Sequence, residues 1–326
     1  MPKTLLSLAP LPVPVLKSLL NLSPGAADTD IIAGHAMSDE QLAEAFAKAD
    51  VVLGDFTFKR GIGRDLLAKA GRLALIQQPS VGYEHIDVKA CSERGVPVAN
   101  TPGANTVSVA EHTIALGLAM LHKLIPANRS VRAGRWEQTA LQPCELQHKT
   151  WGIVGLGQIG RDVALRLRPF GLNKVLYYDV RQAPKEVEAQ CGVEYCALPA
   201  LLISSDIVSL HAPSTEATRN MIGADELSSM KSGAYLINVA RGSLVDETAL
   251  AEALRNGGIA GAATDVFAEE PPGAANPLLE IDEDKLLLSP HIAGVSGESA
   301  RRIMIMAVEN VGRALAGLAP RYVVNS

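Results

Sequence analysis

Along the first hundred positions, short apolar runs alternate with stretches of helical period. Leu5 to Leu8, Ile31 to Ala33, Val51 to Leu53, Leu73 to Ile76 and Val96 to Ala99 read as strands, with apolar residues at helical spacing between them. Ser38-Asp39-Glu40-Gln41 opens one of those helices with a capping box. Strands separated by helices predict a parallel sheet covered on both faces. Asn100-Thr101-Pro102-Gly103-Ala104-Asn105 breaks the rhythm and reads as a crossing into a second domain. Behind it, Ser108 and Glu111 have capping-box spacing and predict a helix from about Ser108 to Leu124. Val109, Ile114, Leu116, Leu118, Met120 and Leu121 make that helix apolar on nearly every side, so it must be covered all round. It predicts a domain or subunit interface and, from that, a homodimer.

The alternation then resumes. Lys149 to Gly160 is a buried strand, a turn with Gly155, Gly157 and Gly160, and the start of a helix carrying Val163, Ala164, Leu165 and Leu167. A second strand, Val175 to Tyr178, ends in Asp179. Further strands run from Asp206 to Leu210, Ala234 to Val239, Ile259 to Thr264 and Leu286 to Ser289, ending at His211, Arg241, Asp265 and His291. Ser296 to Leu318 is a long helix with no strand to lead to, and its simplest place is back on the first domain. The expected architecture is α/β, with two doubly wound parallel-sheet domains: residues 1–100 with 292–326, and an inserted Rossmann domain at 101–291.

Composition narrows the class. Of the 326 residues 48% are hydrophobic and 20% charged, which describes an ordinary globule. A net charge of -5 with no basic tract argues against nucleic acid as a partner. The four cysteines, Cys91, Cys144, Cys191 and Cys196, have no paired spacing and no histidine nearby in a ligand pattern, so neither zinc nor disulfides are expected. The apolar N-terminal run is broken by Pro10, Pro12 and Pro14, which suits a first strand better than a signal segment. No apolar stretch is long enough to predict a membrane span, and a cytoplasmic protein is expected.

The glycine turn carries the first chemistry. Gly155 permits the tight turn, Gly157 lets a pyrophosphate approach the backbone, and Gly160 lets helix and strand pack closely. The diphosphate would sit on the free amides and positive dipole of the helix start. Asp179, about 20 residues beyond the glycines, can hold the ribose hydroxyls of NAD and repel a 2′-phosphate. Arg181 leaves NADP open. In an open α/β sheet ligands bind outside the carboxyl ends of the strands, where Arg241, Glu270 and His291 are expected to share one crevice. An arginine fork can grip a carboxylate and polarise the adjacent carbonyl, although surface salt bridging is the commoner fate of an arginine. A histidine can hand a proton to a forming alkoxide, and a neighbouring carboxylate orients the ring and favours its charged form. Taken alone His291 would be a structural histidine; the prolines beside it and Glu270, and the shared crevice, favour the pair.

These residues resemble a family. The glycine turn with Asp179, Asn238-Val239-Ala240-Arg241-Gly242, Asp265-Val266-Phe267-Ala268-Glu269-Glu270-Pro271-Pro272 and Pro290-His291-Ile292-Ala293-Gly294 look like the D-isomer-specific 2-hydroxyacid dehydrogenases. The resemblance runs from Val81-Gly82-Tyr83-Glu84-His85-Ile86-Asp87 to His291, nearly the whole chain. It implies that Arg241 binds the substrate carboxylate and carbonyl, that His291 is the general acid and base, and that Glu270 supports it. It also implies carboxylate-binding amides at Val81 and Gly82. For NAD it implies Gly155, Gly157, Gln158, Ile159 and Gly160 at the pyrophosphate, Asp179 at the ribose, and Ala212, Val239, Ala240, Asp265 and Gly294 along the rest. No metal is implied, and the partner is a small 2-oxo or 2-hydroxy acid.

Branches of the family can be weighed. Formate dehydrogenases resemble the run Ser108-Val109-Ala110-Glu111-His112 but carry glutamine where Glu270 stands. Phosphoglycerate dehydrogenases offer an arginine near Asp55 and many add a regulatory domain; this chain has Asp55-Phe56 and stops soon after its last helix, with Lys59 and Arg60 nearby. A small unphosphorylated acid such as glyoxylate, hydroxypyruvate or a lactate-like acid is expected. Phosphite oxidation, and a non-enzymatic NAD-binding corepressor, resemble the same scaffold and stay open; measured turnover separates them.

Overall fold

The computed structural model describes residues 2–21 and 28–325. The chain divides into two compact units, Met1–Asn105 with Gly297–Ser326, and Thr106–Ser296.

In the first unit β1 (Thr4–Ser7), β2 (Asp30–Ala33), β3 (Val51–Leu53), β4 (Leu75–Gln77) and β5 (Val98–Ala99) form a parallel sheet in the order β2-β1-β3-β4-β5. That is the flavodoxin-like order. The period of two along each strand sorts its residues between two cores. Leu5, Val51, Leu53 and Leu75 pack with Leu16, Ala307, Val311 and Leu315, while Leu6, Val52, Ile76 and Val98 pack with Leu42, Phe46, Leu67 and Cys91. A slip of one residue in any strand would exchange the two sets, so the pattern sets the register. Helices Val13–Leu20 and Gly297–Leu315 supply the first core, and helices Asp39–Lys48, Arg64–Lys69 and Val88–Glu93 the second. The capping box at Ser38 is formed on both sides, with Gln41 reaching back. The terminal helix is also pinned by Asn310, fully inside the core, whose amide donates to Gln77 Oε1 at 2.6 Å.

In the second unit β6 (Thr150–Val154), β7 (Lys174–Tyr178), β8 (Glu194–Tyr195), β9 (Ile207–Leu210), β10 (Tyr235–Asn238), β11 (Gly261–Thr264) and β12 (Leu286–Leu288) form a second parallel sheet, ordered β12-β11-β10-β9-β6-β7-β8. The order turns back at β6, with β7 on one side and β9 on the other, so the glycine turn after β6 stands at the switch point where such sheets bind ligands. Trp151, Ile153, Ile207 and Ile237 face one core, and Val208, Leu210 and Leu236 the other. Because all seven strands are parallel, their carboxyl ends lie along one edge.

Two helices depart from the sequence expectation. The helix expected from Ser108 to Leu124 spans Thr106–Leu121, so Ser108 lies inside it. Its hydroxyl caps nothing and donates instead to the Ala293 carbonyl at 2.8 Å. A serine and a glutamate three apart occur inside helices as well as at their starts, so the spacing alone could not set the boundary. Nor is this helix covered on every side of the chain itself, since Val107, Glu111 and Ala115 stay exposed. The final helix ends at Leu315 rather than Leu318. Gly317 turns left-handed, and Leu318 donates back to the Arg313 carbonyl at 2.8 Å, closing a Schellman-type end. Among the described residues, no helix is long and apolar enough to cross a membrane.

Candidate active site

The glycine turn leaves β6 through Gly155, whose φ of 97° suits glycine alone. A Cβ there would stand 2.8 Å from the His211 carbonyl, and one on Gly160 would stand 2.1 Å from the Gly155 carbonyl oxygen, so both glycines permit close backbone packing. Gly157 differs, because nothing lies within 4 Å of where its Cβ would be. That open space lies at the start of the ten-residue helix Gln158–Leu167, which has no acidic residue in its first turn. Open space, a helix start and unblocked amides fit a dinucleotide pyrophosphate. Asp179 braces the turn by accepting from the Leu156 amide through Oδ2 at 2.8 Å.

The segment after Asp179 is held by a buried polar cluster. Tyr177 hydroxyl accepts from Ala183 N at 2.8 Å and donates to Glu188 Oε1 at 2.9 Å, while Gln182 donates to the same oxygen at 2.8 Å. Lys185, then Gln182 and Tyr177, hold the Glu188 carboxyl down to about 2, and burial pushes the tyrosine up to about 12. At the end of β9, Trp151 Nε1 donates to Ser209 Oγ at 2.8 Å, which in turn meets His211 Nε2 at 3.0 Å. Burial lowers His211 to about 3, so the ring beside the glycine turn stays neutral.

β10 delivers Arg241 through a turn bracketed by Asn238, which accepts from Ala240 N at 3.1 Å and donates to the Arg241 carbonyl at 2.9 Å. Arg241 Nη1 donates to the Ala240 carbonyl at 2.7 Å. The next residue, Gly242, lies against the loop that follows β11: a Cβ on it would fall 1.9 Å from the Phe267 carbonyl carbon. Val239 is buried behind the turn.

β11 leads directly into Asp265, which is fully buried. Its carboxylate accepts from Ser289 Oγ at 2.6 Å, Ile292 N at 2.9 Å and Ala293 N at 2.8 Å, and its carbonyl accepts from His291 N at 2.7 Å. One aspartate therefore organises the whole backbone around His291, which it holds at a φ of 55°. Glu270 is fastened by Phe267 N, which donates to Oε1 at 3.0 Å, and its Oε2 lies 2.7 Å from His291 Nδ1. Burial tends to raise the Glu270 carboxyl, but hydrogen bonds from His291 and Phe267 and the nearby charge of Arg241 outweigh it and hold it below the usual range. With Nδ1 given to a carboxylate, Nε2 is the ring atom left for a ligand. The two side chains are 40% and 37% exposed, open enough to meet one.

The structure thus brings Glu270 and His291 into contact and places Arg241, Ala212, Asp265 and the glycine turn along one sheet edge. Gln158 and Ile159 open the helix, and Gly294 follows the His291 loop. Val81 and Gly82 lie in the first unit beyond β4, where their carbonyls accept from Asn100 Nδ2 at 2.8 Å and Ser80 Oγ at 2.7 Å. The sequence pattern did not reveal that Asn238 brackets the Arg241 turn, that Gly242 packs against the Phe267 carbonyl, or that Asp265 anchors the His291 loop. For Asn238 a signal existed, because asparagine before a turn commonly bonds its own backbone two residues on; for the rest there was none.

Residues 114–293 match the D-isomer specific 2-hydroxyacid dehydrogenase, NAD binding domain. The D-3-phosphoglycerate dehydrogenase of Archaeoglobus fulgidus is 38% identical over 289 residues, 89% of this chain but 54% of that protein, so the chain spans about half its length. The glyoxylate reductase of Korarchaeum cryptofilum is 41% identical over 270 residues, 81% of this chain and 80% of that protein. The crystal structure of D-lactate dehydrogenase from Aquifex aeolicus, complexed with NAD and lactic acid, is 30% identical with a TM-score of 0.85, covering 99% of this chain and 99% of that one.

Proposed function

The chain belongs to the D-isomer-specific 2-hydroxyacid dehydrogenase family, and from that premise we propose that it reversibly reduces a small unphosphorylated 2-oxo acid with NADH. The observation that carries this reading is the 2.7 Å pair of His291 and Glu270 on the sheet edge that also bears the glycine turn and Arg241. When bound at the turn, NADH supplies the hydride. Arg241 grips the substrate carboxylate and draws charge from the adjacent carbonyl. The proton on His291 Nε2 passes to the carbonyl oxygen as it becomes an alkoxide, leaving a neutral ring that keeps its Nδ1 proton and donates it in a hydrogen bond to the Glu270 carboxylate. In the opposite direction Nε2 takes the hydroxyl proton. Val81 and Gly82 are carried as substrate ligands on the family resemblance.

The preference for an unphosphorylated acid is supported by the loop after β3. Asp55, buried, accepts from Thr57 N, Lys59 N and Arg60 N, and the Arg60 guanidinium is turned toward Asp39 and the Met37 carbonyl. The Arg60 cation of that loop is therefore already engaged. A homodimer is supported by the apolar side chains that stay outside, Leu124, Ile125 and Val131 on helix Leu124–Arg132 and Trp136, 81% exposed. A cytoplasmic setting suits four unpaired cysteines. The test is NADH oxidation against glyoxylate, hydroxypyruvate, pyruvate, phenylpyruvate and phosphohydroxypyruvate, with NADPH in parallel. Turnover of an unphosphorylated acid supports the reading, and turnover of phosphohydroxypyruvate alone replaces it. Binding of NADH with no turnover favours the corepressor reading, and turnover of phosphite with NAD favours the phosphite one.

A further inference from the structure

The segment Phe267–Asn276, which carries Glu270, contains neither helix nor strand. Both of its ends are fastened to one carboxylate. Glu247 Oε1 accepts from Ala268 N at 2.8 Å, and Oε2 accepts from Asn276 Nδ2 at 2.8 Å. Glu247 is itself the first residue of helix Glu247–Arg255, whose start is capped by Asp246 through the amides of Thr248 and Ala249. That helix follows directly on Arg241 through the single turn Gly242–Leu244, and Gly242 lies against the Phe267 carbonyl. The position of Glu270, and through it of the His291 ring, is thus tied to the element that delivers Arg241.

We infer that Glu247 is a positioning residue that fixes the Glu270–His291 pair relative to Arg241, an inference that rests on the proposed dehydrogenase reading. Its chemistry requires two acceptor oxygens. A glutamine at 247 can still accept from Ala268 N, but it then presents an amide donor to the Asn276 amide. Asn276 cannot answer by rotating, because its Oδ1 accepts from Leu278 N at 3.0 Å. An aspartate at 276 against Glu247 would set two carboxylates face to face. Together the two changes restore a donor and an acceptor at that contact, with the second aspartate oxygen left for Leu278.

The test is steady-state turnover of wild type, Glu247→Gln, Asn276→Asp and the double variant with the best 2-oxo acid, with His291→Ala as control and with kcat, both KM values and the pH profile measured. An active site loosened by a fraction of an ångström to an ångström loses up to on the order of 10²-fold. Each single variant is expected to lose 10- to 100-fold in kcat with KM for NADH unchanged and an altered pH profile, and the double variant to recover most of the loss. Single variants with the kcat and pH profile of wild type, changed only in thermal stability, overturn the inference while leaving the dehydrogenase reading intact. A double variant no better than the singles also overturns it. A wild type that turns over no 2-oxo acid, or one indifferent to His291→Ala, overturns the reading and the inference with it.

Discussion

Two regions on the same sheet edge are built by different means. The glycine turn is a backbone object: Gly155 and Gly160 are pressed against carbonyls of their own segment and of His211, just past β9, and a single stretch from Lys149 to Gly160 contains nearly all of it. The acid–base pair is a side-chain object. His291 and Glu270 are 21 positions apart, and they meet because Asp265, Glu247 and Phe267 N hold two irregular loops in place. Binding a diphosphate needs only unblocked amides and room, which local backbone geometry supplies. Moving a proton needs two side chains each placed to within about a few tenths of an ångström, which takes several strands.

If that division is sound, variants at the pair change turnover and variants at the turn change NADH affinity. Arg241→Ala should abolish turnover with NADH binding nearly intact by fluorescence titration; lost NADH binding would move the arginine to the cofactor side. His291→Ala should lower kcat on the order of 10²- to 10⁴-fold, again with NADH binding kept. Near-normal turnover in that variant would end the proposed proton path. Gly160→Ala should do the reverse. Its Cβ would collide with the Gly155 carbonyl, and a backbone shift costing about 1–3 kcal/mol corresponds to roughly 5- to 150-fold weaker NADH binding. Equal affinity would mean that the turn tolerates what its geometry forbids.

Smaller effects probe the charges. Glu270 is held below its ordinary 4.5, so its charged form is favoured in the folded chain. The stability this contributes is fully present above pH 4.5 and is lost as pH falls through the lowered value. The difference in denaturation midpoint between wild type and Glu270→Gln should therefore shrink as pH falls below 4.5, and a flat difference in acid would remove the charge partnership. Asp179→Asn keeps an acceptor for Leu156 N but loses the charge, and should shift the NADH to NADPH preference by on the order of tenfold. An unchanged ratio would count against a ribose contact.

Much of the fold could be read directly from the sequence because burial repeats with simple periods. Leu5 and Leu6, or Val51 and Val52, alternate between two cores, and the strands nearly all lie within a few residues of where the apolar runs put them. Boundaries were harder wherever a local pattern has two readings, as at Ser108, whose hydroxyl went to Ala293 across the unit rather than to its own helix start. The candidate site was legible as residue types at strand ends, since a parallel sheet sends every carboxyl end to the same edge. Its supports were not. Glu247 in a first helical turn looks like an ordinary acid placed for the helix dipole, and nothing in its neighbours reveals that Ala268 and Asn276 will arrive.

By itself the sequence determined two parallel-sheet units, a dinucleotide turn and the side chains that could move a proton, because each follows from residue period or from a glycine no other residue can replace. Only the tertiary structure decided that Glu270 stands 2.7 Å from His291 and that Asp265 and Glu247 hold both loops. The reason is physical. A hydrogen bond between distant residues depends on distances set by the packing of β10, β11 and β12, and those distances appear only after the apolar faces have been buried.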